Sequence, residues 1–146
     1  MKRQDIVTSL ASLLGTISIG AGFSTNCGAN VFVWRRTTLK DEEVPCICVW
    51  DTVAERNDDY APIGFQGWDL HVGVIAYFEP STPASVARLA LDDVVKAIGT
   101  NPNLSGLADR HIEVMSHEIA LDNKTNTVGM ARIQLVIPYV VSLHKL

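Results

Sequence analysis

Asn101-Pro102-Asn103-Leu104-Ser105-Gly106-Leu107-Ala108 is the segment on which the organisation of the chain turns. Upstream lies a helical pattern over residues 82–98, and downstream come two strand-like runs, 110–121 and 128–141. Gly99 and Pro102 stop the helix, and the Ser-Gly pair turns the chain. The segment holds no acid, base or nucleophile poised for chemistry. A helix joined to a terminal hairpin by a tight turn describes a building block rather than an active site.

The helix has a start signal in Ser81-Thr82-Pro83, a hydroxyl N-cap followed by proline at the first helical position. Val86, Leu89, Ala90, Val94, Ala97 and Ile98 form its apolar stripe. Downstream, Ile112 and Val114 share one strand face and Met115, Ile119 and Leu121 the other, so a bulge is expected near Met115-Ser116. Asp122 to Asn126 reads as a polar hairpin turn. The last strand places Ala131, Ile133, Leu135, Ile137, Tyr139 and Val141 on one face, and its Pro138 argues for an edge position or a bulge. An exposed edge this rich in valine and isoleucine invites aggregation unless a partner covers it.

Before the helix, residues 68–78 alternate strictly, with Trp68, Leu70, Val72, Val74, Ala76 and Phe78 on one side. Residues 51–67 are polar, with Pro62 and two glycines, and read as a mobile loop. Residues 31–37 and 44–50 read as two strands of a hairpin, with a polar connection at 38–43. Arg35-Arg36 then faces Asp41-Glu42-Glu43, either as a solvated hairpin end or as a charged projection against a neighbouring subunit. Ile6, Leu10, Leu13, Leu14 and Ile17 fall at helical spacing, giving an amphipathic helix over 3–14 that the following glycines end. The loop 20–28 contains G-x-G, but a helix precedes it and a strand follows, the wrong order for a dinucleotide cradle. The expected fold is α+β: a mainly antiparallel sheet, two helices packed on one face, and a projecting hairpin or long loop.

The 146 residues suit one domain spanning 1–146, with 47% hydrophobic and 19% charged residues, enough for a core without staples. A net charge of −4 argues against direct sequence-specific nucleic-acid binding. No run is long enough and apolar enough for a membrane span, and the N-terminal apolar residues are periodic rather than continuous, unlike a signal peptide. Cys27, Cys46 and Cys48 are odd in number, and Cys46-Ile47-Cys48 puts two sulfurs on one strand face; free thiols in a reducing cytoplasm are expected. His111, Glu113 and His117 are a metal constellation only if no bulge intervenes, and Asp58-Asp59 reads as a solvated pair. His71 and His144 have no evident partner. There is no G-x-S-x-G elbow and no P-loop, and no cofactor, metal site or catalytic residue is expected.

Several short patterns recur in a telling order. Gly22-Phe23-Ser24-Thr25-Asn26-Cys27-Gly28 is a Gly-aromatic-x-Thr-x-x-Gly turn after an amphipathic helix. A strand with arginines, Val31 to Arg36, is followed by a proline-led strand, Val44-Pro45-Cys46-Ile47-Cys48-Val49. Leu104-Ser105-Gly106-Leu107-Ala108 then precedes a terminal hairpin closing on Pro138-Tyr139. Over nearly its whole length the chain resembles the tail terminator (minor tail, tail completion) proteins of long-tailed bacteriophages, which often carry a double glycine where Ser105-Gly106 stands. The resemblance implies a homohexameric ring at the head-proximal end of the tail tube, made in the host cytoplasm and resident in the virion. Such a ring ends tube polymerisation and meets the tube protein, the neck and head-completion proteins, and the sheath of a contractile tail. DNA would pass through it, and it would have no catalytic residues and no cofactor. Ring closure needs two different complementary patches on each subunit. Arg35, Arg36, Asp41, Glu42, Glu43, Asp58, Asp59 and Arg132 are the expected interface residues. Alternatives are another phage head–tail connector or neck protein, and a small α+β enzyme or ligand-binding domain with a pocket near His71, His111 and His117.

Overall fold

The computed structural model describes residues 2–79, 81–122 and 128–143. Helix α1 (Lys2–Leu14) leads through a glycine-punctuated connection to the short strand β1 (Val31–Val33). Two long strands follow, β2 (Cys46–Arg56) and β3 (Phe65–Tyr77), then helix α2 (Ala84–Thr100), β4 (Glu113–Asp122) and β5 (Val128–Ser142). The sheet order is β1-β2-β3-β5-β4. The pairs β2–β3, β3–β5 and β4–β5 are antiparallel, and β1 alone runs parallel to its neighbour. The fold is therefore α+β with a mixed, mainly antiparallel sheet.

Strand alternation decides which face is buried. Ile47 and Val49 of β2, Leu70, Val72, Val74 and Ala76 of β3, and Ala131, Ile133, Leu135 and Ile137 of β5 all point to one side. There they share a single core with Ile6, Leu10 and Leu14 of α1 and Ala90, Val94 and Ala97 of α2. Both helices thus cover the same face. Neither α1 nor α2 lies on the other face, which is why the alternate positions of β3, from Asp69 to Tyr77, are mixed in character.

Several expectations are corrected. β1 and β2 are not a hairpin. The Ile47 N–H donates to the Asn30 carbonyl at 2.8 Å and the Trp34 N–H to the Val49 carbonyl at 2.9 Å, the slanted ladder of a parallel pair. The connection 34–45 is a crossover of about the length that parallel strands require. Nor is 51–67 a long loop. β2 continues to Arg56 and β3 begins at Phe65, so most of the segment is a second, longer hairpin that projects beyond the end of β4. Its tip is held together: the Gly67 N–H donates to Asp58 at 2.8 Å and the Asn57 N–H to the Gly67 carbonyl at 2.9 Å. The Tyr60 hydroxyl, at 2.8 Å from the Trp68 carbonyl, closes it further. Pro138 does occupy an edge position, on a strand that is central elsewhere. β4 pairs no further along β5 than Val136, and the Pro138 carbonyl accepts from the Asp109 N–H at 2.8 Å on that vacated side. The missing proline N–H would point the same way, so no ladder bond to β3 is lost. α2 runs one residue past Gly99, and its N-cap position is Pro83, with no side-chain cap. Leu89 of its stripe is exposed. The bulge between Val114 and Ser116 is present; the turn at 122–126 lies largely outside the described residues.

The connection between α1 and β1 is fixed by a buried acid that the stripe analysis passes over. Asp93 of α2 is only 2% exposed and accepts three bonds: from the Ser24 N–H at 3.0 Å, the Thr25 N–H at 2.7 Å and the Thr25 hydroxyl at 2.6 Å. Lys96, one turn on, donates to the Gly22 carbonyl at 2.8 Å and stands over the Phe23 ring. Gly28 then passes so close to the end of α1 that a Cβ there would lie 2.4 Å from the Leu14 carbonyl oxygen. Beyond α2, Leu104, Ser105 and Gly106 are three successive left-handed residues, a conformation that favours glycine and is unusual for Leu104 and Ser105.

Two outcomes follow from this connection. Asp93→Ala strands two backbone donors and a hydroxyl, each worth about 1–3 kcal/mol when left unpaired in the interior, and lowers the urea-unfolding free energy by about 3 kcal/mol or more. Gly28→Ala forces backbone apart and destabilises by about 1–3 kcal/mol, read as a lower thermal midpoint with retained far-UV circular dichroism.

Candidate assembly surface

The residues expected at an interface fall in three separate places. Arg35 and Glu43 close the two ends of the crossover on each other. The guanidinium is bidentate to the carboxylate, with both N···O distances at 2.7 Å, and lies 4.6 Å from the Phe32 ring centroid. Hydrogen bonding from Arg35, reinforced by the Lys40 N–H, holds the Glu43 carboxyl below its ordinary value. Arg36 and Glu42 are exposed beside this pair, and the side chain of Asp41 lies outside the described set. Asp58 sits at the β2–β3 tip, bound by Arg56 at 2.8 Å, with exposed Asp59 beside it. Arg132 stands on the helix-free face and pairs with Glu118, its direct cross-strand partner, at 2.8 Å.

Beside the crossover, the Cys46 and Cys48 side chains share the helix-free face, both buried and free. The Cys46 thiol is pushed up by its hydrogen bond to Cys48 and by burial. Burial likewise raises Cys27, beneath the Asp93 turn.

The histidines do not converge. His71 lies on the helix-free face, with Nε2 at 3.3 Å from Glu55, whereas the register puts His117 on the opposite face and His111 ahead of the strand. Among the described residues, no group of three or more His, Cys, Asp or Glu side chains is placed to hold a metal ion. Among the same residues, no helix is long and apolar enough to cross a membrane.

The chain instead exposes apolar side chains at its extremities. β4 borders the sheet, pairs only with β5, and leaves Val114, Met115 and Ile119 in solvent. The β2–β3 arm exposes Val53, Ile63 and Phe65, with Ile63 wholly uncovered. No sequence signal separates these residues from core ones, because periodicity reports which face a residue is on and not whether anything covers that face.

A cleft of about 280 Å³ lies between α1 and the end of β1, lined by Arg3, Gln4, Val7, Val33, Trp34 and Asp51. Trp34 leaves the strand at a left-handed φ of 55°, which swings its indole round the edge of β2, 5.1 Å centroid to centroid from Trp50. Asp51 ties the walls together: it accepts from Trp34 Nε1 at 2.6 Å and from Arg3 Nε at 2.8 Å. Burial pushes the Asp51 carboxyl up, but the bonds from Trp34 and Arg3 outweigh it, and the net result lies below the ordinary 3.8. The cleft leaves no signal in the sequence, because its walls come from three elements distant along the chain.

No protein-family model matches the chain, and no curated protein matches it significantly.

The lowered Asp51 carboxyl contributes stability above its unfolded-state pKa, and that contribution is lost as pH falls through the folded value, below about 4. The Trp34 environment should therefore change in acid below pH 4. Asp51→Asn should remove that component of a tryptophan-fluorescence titration while leaving the response above pH 5 unaltered.

Proposed function

We propose that this chain is a structural subunit that forms a ring at the head-proximal end of a phage tail tube, ends tube polymerisation and offers a surface to neck proteins. The reading joins the ordered likeness of its motifs to the tail terminator proteins with one observation above all: β4. This edge strand is long, exposed on both faces over Glu113–Ile119, and apolar at Val114, Met115 and Ile119. A strand edge is a template for pairing with another chain, and although the bulge at Val114–Ser116 blunts this one in part, its apolar side chains stay uncovered. The projecting β2–β3 arm gives a second, different surface, which a closed head-to-tail ring requires. The partners in this reading are further copies of the chain, the tube protein, and the neck and head-completion proteins. A contractile tail adds its sheath. The proposed location is the neck end of the virion tail, with assembly in the host cytoplasm. The reading assigns the chain no catalysis and no cofactor.

Light scattering of the purified chain, alone and with purified tail tubes, tests the reading. The expected outcome is a hexamer, or a monomer that closes into a ring only at a tube end and halts growth there. A monomer indifferent to tubes overturns it.

A further inference from the structure

The β2–β3 tip and the Trp34 cleft complement one another, and the two lie on different parts of the same subunit. Ile63 is wholly exposed at the tip, and Phe65, also exposed, stands beside it. No intramolecular packing explains an isoleucine there. The cleft, at about 280 Å³, falls just short of the roughly 300–1,000 Å³ typical of small-molecule pockets. It exceeds the roughly 150 Å³ that accommodates a benzene ring. That volume suits one or two bulky side chains, and Val7, Val33 and the Trp34 indole supply apolar walls.

The charges match as well. The tip sequence Glu55 to Phe65 carries three carboxylates against the single Arg56. At the cleft the outward charge is cationic: the Arg3 side chain is 33% exposed, while its partner Asp51 is turned inward at 14%. A guanidinium has five N–H donors, so Arg3 can hold Asp51 and still meet an incoming carboxylate.

We propose that the β2–β3 tip of one copy seats Ile63 in the Val7–Val33–Trp34 cleft of a second copy, with Asp59 against Arg3. The inference rests on the assembly reading above and names a contact for it. One subunit cannot satisfy both halves, since the tip lies roughly 20 Å along the strands from Asp51. A shift of that size without rotation would overlap bodies whose radius of gyration is about 15 Å. Successive copies must therefore turn relative to one another, as subunits of a closed assembly do. Reciprocal seating gives a dimer; head-to-tail seating gives a ring.

The test combines sedimentation equilibrium, at chain concentrations up to about 1 mM, with cysteine cross-linking. Ile63→Asp is expected to weaken self-association at least about tenfold, with an unchanged melting curve because Ile63 touches nothing in its own subunit. The double variant Val33→Cys with Ile63→Cys, treated with diamide, is expected to give covalent multimers on a non-reducing gel, while neither single variant does. The native cysteines are buried and do not compete. Self-association that survives Ile63→Asp without cross-links overturns the contact and leaves the ring reading standing. Cross-linked dimers that form nothing larger, either alone or with purified tail tubes, sustain the contact and overturn the ring. A chain that stays monomeric at 1 mM and gives no cross-link overturns the contact outright, since even a Kd of about 1 mM would leave a large fraction associated.

Discussion

A carboxylate taken out of water is the constraint from which the rest of this architecture follows. Asp93 is buried in α2 and meets two backbone N–H groups and a hydroxyl in the 24–25 turn. Ionised carboxylates are expensive to bury unless every lone pair finds a donor, so the turn must adopt the one geometry that supplies them. The turn in turn fixes where α1 ends, since Gly28 leaves no room between the connection and the Leu14 carbonyl. α1 is thereby laid beside α2, and both helices lie on the same face of the sheet. A hydrophobic contact would tolerate sliding, because it is non-directional; three short hydrogen bonds to one carboxylate do not.

Placing both helices on one side leaves the other side to smaller devices. The crossover 34–45 folds over the β2 end of that face, closed by Arg35 and Glu43 and packed on Phe32. Of the charges first read as opposite-sign docking patches, Arg35 and Glu43 are thus engaged with each other within the subunit. A paired Arg35 would have to exchange Glu43 for an external carboxylate, a trade with little net gain, since exposed ion pairs contribute only about 0–1 kcal/mol. Arg132 is engaged in the same way with Glu118. The apolar side chains that the fold leaves uncovered are concentrated at the β4 edge and the β2–β3 tip. Charge at such sites orients encounter and selects partners, whereas buried apolar anchors supply most of the affinity.

The sequence was most legible where one face of an element is buried and the other is not. The alternation of 68–78, the stripe of α2 apart from Leu89, and the two faces of β5 read correctly, because burial imposes a period of 2 or 3.6 on the residue types. The Val114–Ser116 bulge was legible for the same reason, as a break in that period. β1 and β2 were recognised as strands but given the wrong relation, because alternation is the same for parallel and antiparallel neighbours. Residues 51–56 looked like loop because that part of β2 projects past the core, where Glu55 and Arg56 can face solvent. Asp93 was invisible to pattern reading, since an acid on a helix ordinarily marks the solvent side. The intramolecular pairing of Arg35, Asp58 and Arg132 was not legible, because each partner is placed by the tertiary fold or by a local turn rather than by a period. The cleft needs Arg3, Trp34 and Asp51 in one place, and only tertiary structure brings them there.

The same asymmetry bears on how such a subunit avoids polymerising without limit. A bare β4 edge alone would add copies by strand pairing in an open series, the geometry of aggregates. A closed assembly needs a contact that fixes rotation between neighbours, which a flat strand edge does only weakly. In the proposed assembly a projecting arm with a rigid tip supplies that rotation. Here the tip is stiff: Gly67 leaves no space for a side chain against the Asn57 carbonyl, Tyr60 bonds across to Trp68, and Arg110 stacks over the Tyr60 ring. Arg56 lies over Trp68 at the same level. Each of these contacts lies within the subunit, yet together they set the direction in which the arm leaves it. In the proposed assembly, packing within the tip of the hairpin would therefore set the angle between one copy and the next.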